Sequence, residues 1–167
     1  SRTVERFGRL DVLVNNAGVS DAHDFADMPI EEIDRVLDVT LRAVLVATRA
    51  ALPHLLASGE GAAVIQVASL AGRRPARGIA TYAAAKHGVL GFNESLFEEY
   101  RESGLKFSAI LPGFVDTGMV AGEPDQRARM MSPEDVVQAV LYVLASSPRV
   151  CPIEVVLRPQ RSPFGRR

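Results

Sequence analysis

Tyr82-Ala-Ala-Ala-Lys86 sets a phenol and an ammonium four residues apart. On a helix those positions share a face, about 5–6 Å from each other, so the cation can stand beside the phenol. A tyrosine at its ordinary pKa of about 10 exchanges protons poorly at neutral pH. A neighbouring cation favours the phenolate and lowers that value, which suits the group for proton transfer to or from a substrate oxygen. Ser69, at the tip of an apolar run, supplies a hydroxyl able to hydrogen-bond the same oxygen. Taken alone, such a pair more often marks a half-buried tyrosine beside a solvated lysine. Here it has company. Three apolar runs in succession end in polar or glycine-bearing segments, at residues 15–18, 69–72 and 112–117.

The elements that must position these groups follow from periodicity. Residues 11–14, 63–68, 107–111 and 153–157 are nearly continuous apolar runs, the pattern of strands buried on both faces. Between them, residues 30–56 and 79–102 carry helical spacing, and Ser132-Pro133-Glu134-Asp135 opens a third helix with an N-cap, a proline and acids. Residues 116–131 read as mobile, and the proline- and arginine-rich tail, residues 158–167, reads as frayed. No hairpin signal interrupts the alternation. The order β-α-β-α-β-α-β predicts a parallel sheet covered on both faces, with ligands held beyond the carboxyl ends of its strands.

Composition narrows the function classes. The chain has 167 residues, 47% hydrophobic and 23% charged, with a formal net charge of −1. Those values suit one folded domain with a proper core and rule out a disordered chain. They give no strong field toward nucleic acid or anionic lipid, and no apolar run reaches the ~18–20 residues of a bilayer span. A cytoplasmic protein without nucleic-acid or membrane partners is the expectation. The single cysteine, Cys151, excludes an internal disulfide and a cysteine-built zinc site. His23, His54 and His87 have no metal-ligand spacing, so no metal is expected. Arg73, Arg74 and Arg77 beside Ser69 read as a solvated loop before they read as an anion site.

These segments together resemble the short-chain dehydrogenase/reductase family. Asn15-Asn16-Ala17-Gly18 is similar to its NNAG element, Ser69 lies thirteen residues before Tyr82 as its catalytic serine does, and Tyr82-x-x-x-Lys86 is similar to its YxxxK. Pro112-Gly113-Phe114-Val115-Asp116-Thr117 resembles its PGxxxT cofactor segment. The resemblance spans nearly the whole chain and implies an α/β fold. Residues 1–157 would be the C-terminal part of a doubly wound Rossmann-like sheet, strands four to seven of the family fold. It implies an NAD(P)-dependent oxidoreductase that interconverts a secondary alcohol and a carbonyl. Tyr82 would be its acid/base, Lys86 would lower the phenol pKa and bind the nicotinamide ribose, and Ser69 would polarise the substrate carbonyl. Asn16, Ala17, Gly18, Pro112, Gly113, Val115 and Thr117 would contact NAD or NADP. The two partly apolar long helices imply a homodimer or homotetramer of the complete protein.

Two departures stand out. Thr40 occupies the position where the family usually has the asparagine of its catalytic tetrad. A threonine can bond its own helix carbonyl and cannot reproduce the amide's paired donor and acceptor, so a proton relay impaired rather than abolished is expected. The family's glycine-rich TGxxxGxG turn is absent from these residues, as is the residue that would choose between NAD and NADP. The expectation is that the first half of the fold lies upstream. The alternative reading is a catalytically silent piece with a binding or oligomer-forming role.

Overall fold

The computed structural model describes residues 2–165; Arg166 and Arg167 of the expected basic tail lie outside the described residues. A short helix α1 (Arg2–Phe7) leads into β1 (Val12–Asn15), and β2 (Ala63–Val67), β3 (Lys106–Pro112) and β4 (Glu154–Leu157) complete the sheet. All neighbours pair parallel in the order β1-β2-β3-β4. The strand runs read from the sequence are the strands, each within a residue or two of its expected bounds.

Alternation along β2 and β3 divides the core. Val64, Phe107, Ala109 and Leu111 face α3 (Ala43–Ser58) and α4 (Ala80–Tyr100), where Val44, Leu55, Val89 and Leu90 meet them. Ala63, Ile65 and Ile110 point the other way, onto Ala139 and Val143 of α6 (Pro133–Ala145). A strand buried on both faces needs apolar side chains at nearly every position, which is why these runs do not alternate in the sequence. One exception is Lys106, which is buried. Its ammonium reaches the end of α6 and donates to Ser146 O at 2.6 Å and Ser146 Oγ at 2.7 Å. A cation there complements the partial negative charge of the helix C-terminus.

Three expectations need correction. The helix expected over residues 30–56 is not continuous. After α2 (Ile30–Leu37), residues Asp38–Arg42 form a π-helical segment in which Ala43 N bonds back to Asp38 O, and only then does α3 begin. The wider turn lets Thr40 leave the ordinary helical path, for a reason given below. Residues 116–131, expected to be mobile, are tied down. A four-residue helix α5 (Pro124–Arg127) is capped reciprocally by Glu123 and Gln126, Arg127 pairs with Asp116, and Met131 N bonds Phe114 O at 3.0 Å. The tail does not fray over its described part either: Phe164 packs edge-on against Phe114 with centroids 4.9 Å apart, and Pro163 is buried.

The outward apolar side chains are also placed differently from expectation. Leu45 and Val46 on α3 are exposed, but the second group is Val137, Leu141 and Tyr142 on α6; the apolar residues of α4 are largely covered.

Close approach sets one glycine. A methyl at Gly72, in the turn after β2, would lie 2.9 Å from the Lys86 carbonyl oxygen and 2.9 Å from Leu90 Cδ1. Gly91, exposed on α4, has open space at the same position. Gly72→Ala should therefore cost about 1–3 kcal/mol through overpacking. Gly91→Ala should gain up to about 1 kcal/mol of helix propensity. Thermal melts should separate the two variants on opposite sides of the parent, by about 2–4 °C per kcal/mol.

Candidate active site

The site begins where β2 stops. Val67 is its last residue, and the chain then turns through a 3-10 segment, Leu70–Gly72, whose N-cap is Ser69. The Ser69 hydroxyl accepts from Ala71 N at 3.1 Å, which fixes the side chain at the strand's carboxyl end. Because residue 72 has no side chain, this turn seats directly on the backbone of α4 at Lys86. Tyr82 and Lys86 occupy the first two turns of that helix.

Lys86 is buried, with 4% of its surface exposed. Its Nζ donates to Val67 O at 2.7 Å and stands 5.6 Å from the centroid of the Tyr82 ring. Burial lowers the lysine pKa to about 8. The phenol of Tyr82 moves the opposite way from the sequence expectation. Burial raises its pKa above 10, and the neighbouring Ser69 hydroxyl pulls it partly back. Burial is the larger influence on the phenol here.

The loop after β1 closes over this group. Asn15 belongs to the sheet: its Nδ2 donates to Thr48 Oγ1 at 3.0 Å and to Gln66 Oε1 at 2.9 Å. Asn16 and Ala17 are exposed. Gly18 is the point of contact, since a Cβ there would lie 3.6 Å from Lys86 Nζ and 3.7 Å from Thr40 Oγ1.

Thr40 is fully buried. Its hydroxyl does not bond its own helix. It accepts from Val19 N at 3.0 Å and donates to Val19 O at 2.8 Å, so one oxygen serves as donor and acceptor to the same residue. Thr40 is the central residue of the π-helical segment.

Asp21 was not singled out by the sequence reading. It is 3% exposed, and its two carboxylate oxygens accept from Thr81 N at 3.0 Å and Tyr82 N at 3.2 Å. The usable signal was the start of α4, where Gly78-Ile79-Ala80 offers no side chain able to cap the helix.

The third segment forms a separate wall. Pro112 ends β3, Gly113 N donates to Leu157 O at 2.8 Å, Val115 bridges to Met131, and Thr117 is exposed. Of the nearby arginines, Arg73 pairs with Glu154 and Arg77 stands 3.4 Å from Asp24. Both are thus engaged with protein carboxylates. Among the described residues no group of three or more histidine, cysteine or acidic side chains is placed to hold a metal.

The model of the short chain dehydrogenase family matches residues 1–128. The chain belongs to the short-chain dehydrogenase family. An uncharacterized oxidoreductase of Staphylococcus epidermidis is 33% identical over 156 residues, 93% of this chain and 67% of that protein. One from Staphylococcus aureus is 32% identical over 155 residues, again 93% and 67%. Among solved structures, an acetoin dehydrogenase from Salmonella typhimurium superimposes with a TM-score of 0.82 at 25% identity, covering 95% of this chain and 67% of its own. An alcohol dehydrogenase from the archaeon Thermococcus sibiricus, complexed with 5-hydroxy-NADP, gives 0.85 at 25% identity with the same coverage. The four-stranded parallel sheet thus matches part of the family's Rossmann fold, and the chain is an oxidoreductase-family protein spanning 67% of these relatives.

Two measurements check the site's physics. Burial lowers the Lys86 pKa from 10.5 to about 8, so between those values the unfolded chain binds more protons than the folded one. The penalty is complete below about pH 8 and is relieved as pH rises toward 10.5, on the order of 3 kcal/mol at most. The stability difference between the parent and Lys86→Met should be flat below about pH 8 and should then move in the parent's favour. Thr40→Val keeps the shape but leaves Val19 N and O without their partner. Denaturant titration should show a loss of about 1–3 kcal/mol.

Proposed function

We propose that the chain carries the proton-transfer groups of an NAD(P)-dependent interconversion of a secondary alcohol and a carbonyl. The observation that carries this reading is the convergence of Ser69, Tyr82 and Lys86 at the carboxyl end of β2, with the lysine ammonium held by Val67 O. The residues present fit the nicotinamide end of such a cofactor. Lys86 has three N–H groups and gives one to Val67, and Gly18 places no side chain over the ammonium. Lys86 would hold the ribose, with Asn16, Ala17, Gly18, Pro112, Gly113, Val115 and Thr117 along the remaining walls.

When bound, the nicotinamide supplies or accepts the hydride. The chain's own groups do the rest. Ser69 donates a hydrogen bond to the carbonyl oxygen and draws charge onto it. Tyr82 gives its phenolic proton to that oxygen as the carbonyl carbon is reduced, and takes it back in the oxidation. Burial keeps the phenol protonated at neutral pH, the form that reduction requires. Lys86, with its value near 8, is mostly charged at neutral pH and stabilises the phenolate left behind.

Binding of an NADP analogue by one structural neighbour supports a nicotinamide dinucleotide as the cofactor class, and the name of another makes acetoin a reasonable first substrate. A homodimer or homotetramer is supported by the exposed apolar residues of α3 and α6. Among the described residues no helix is long and apolar enough to cross a membrane.

Reduction of NAD and NADP by the protein should be followed with acetoin, and oxidation of NADH and NADPH with a panel of small ketones. Tyr82→Phe should lower kcat at least about 100-fold while cofactor affinity stays within about twofold. Turnover that survives this substitution unchanged would remove Tyr82 from the chemistry. A parent protein that turns over none of the panel would favour the silent, binding reading.

A further inference from the structure

Helix α4 begins without a cap of its own. Ile79 stands at its N-cap position, and an isoleucine side chain accepts no hydrogen bond. The next donors that a cap normally satisfies are the amides at the second and third helical positions, here Thr81 and Tyr82. Asp21, sixty residues earlier in the chain, accepts from both, one oxygen to each, at 3.0 and 3.2 Å. The carboxylate and the first of these amides are buried, with Asp21 3% and Thr81 5% exposed, while Tyr82 is half-buried. Leaving those amides unpaired there would cost more than at a solvated helix end.

The position of Asp21 along its loop gives the contact its meaning. Gly18 lies against Lys86 Nζ, Val19 is held on both backbone groups by Thr40, and Asp21 holds the turn that bears Tyr82. Three residues within a stretch of four thus each touch one of the groups assembled at the site. Ser69 is fixed from the sheet side, by β2 and its turn. The separation between the serine hydroxyl and the phenol therefore depends on what fixes the first turn of α4 from the other side.

We propose that Asp21 is the positioning residue for Tyr82: its carboxylate, capping α4 from the loop after β1, sets where the phenol stands relative to Ser69. This rests on the reading of Tyr82 as the acid–base group. The same loop presents Asn16 and Ala17, so any ligand that orders those residues is mechanically joined to the phenol through Asp21.

The test uses the 167-residue protein with Asp21→Ala and Asp21→Asn, read by amide hydrogen exchange and by the ring resonances of isotopically labelled tyrosine. Asp21→Ala should speed exchange at Thr81 and Tyr82 about tenfold. Ala83, whose amide bonds Ile79 O within the helix, should change by less than about twofold. The Tyr82 ring resonance should shift while those of Tyr100 and Tyr142 stay in place, and Asp21→Asn, which keeps an acceptor oxygen, should restore most of both signals. Unchanged amide exchange in Asp21→Ala overturns the cap. Faster exchange with an unmoved Tyr82 resonance overturns the positioning role and leaves a structural cap only. Should Asp21→Ala fail to fold, Asp21→Asn decides: parent-like exchange and an unmoved ring support the cap, and a scattered tyrosine spectrum overturns it. None of these readings needs turnover, so an inactive parent with a displaced ring in Asp21→Ala would defeat the catalytic reading and not the placement.

Discussion

A buried ammonium is costly unless something meets it, and the bond from Lys86 Nζ to Val67 O is what meets it here. The acceptor is the last carbonyl of a strand, at a point where the sheet ladder ends and a backbone oxygen is free to turn toward a helix. That one bond ties the end of β2 to the second turn of α4, while Asp21 holds the first, which bears Tyr82. The bare backbone at residue 72 lets the two elements come close enough for the bond to form. A site of this kind is less a set of side chains around a cavity than a joint between a sheet and a helix, with its chemistry at the seam.

The loop after β1 braces the joint from the opposite side. Thr40 and Asp21 spend their polar atoms on backbone groups of other segments, both from positions with little or no solvent. Such contacts add little net free energy when intact and a good deal of penalty when broken. Their worth is in geometry. From within the π-helical segment, the Thr40 hydroxyl satisfies both backbone groups of Val19.

The strands and the Tyr82, Lys86 and Ser69 trio were legible in the sequence because each depends on local pattern. A doubly buried strand is an apolar run, and a helical pair four apart shares a face wherever the helix lies. What was not legible depends on partners distant in the chain. Asp38-Val-Thr-Leu-Arg42 reads as ordinary helix, and nothing in it announces the wider turn that Thr40 and Val19 require. The direction of the phenol's pKa was not legible because spacing reports proximity and not burial, and burial is the larger influence on the ring. Asp21 looked like one more loop acid, and its importance shows only against the missing cap sixty residues on. The segment over 116–131 lacked apolar periodicity, yet side-chain caps and one ion pair suffice to hold it.

Both lysines of this chain, Lys86 and Lys106, end in the interior with their ammonium groups on backbone carbonyls, while the outward cationic side chains are arginines. The folded surface therefore presents guanidinium groups but no lysine amine. Lys86 faces the side on which the cofactor is proposed to lie, whereas reagents and modifying enzymes that require a nucleophilic side-chain amine reach Lys106 only when the sheet parts from α6. Acylation of Lys106 is in effect a report on opening, recording the release of that helix.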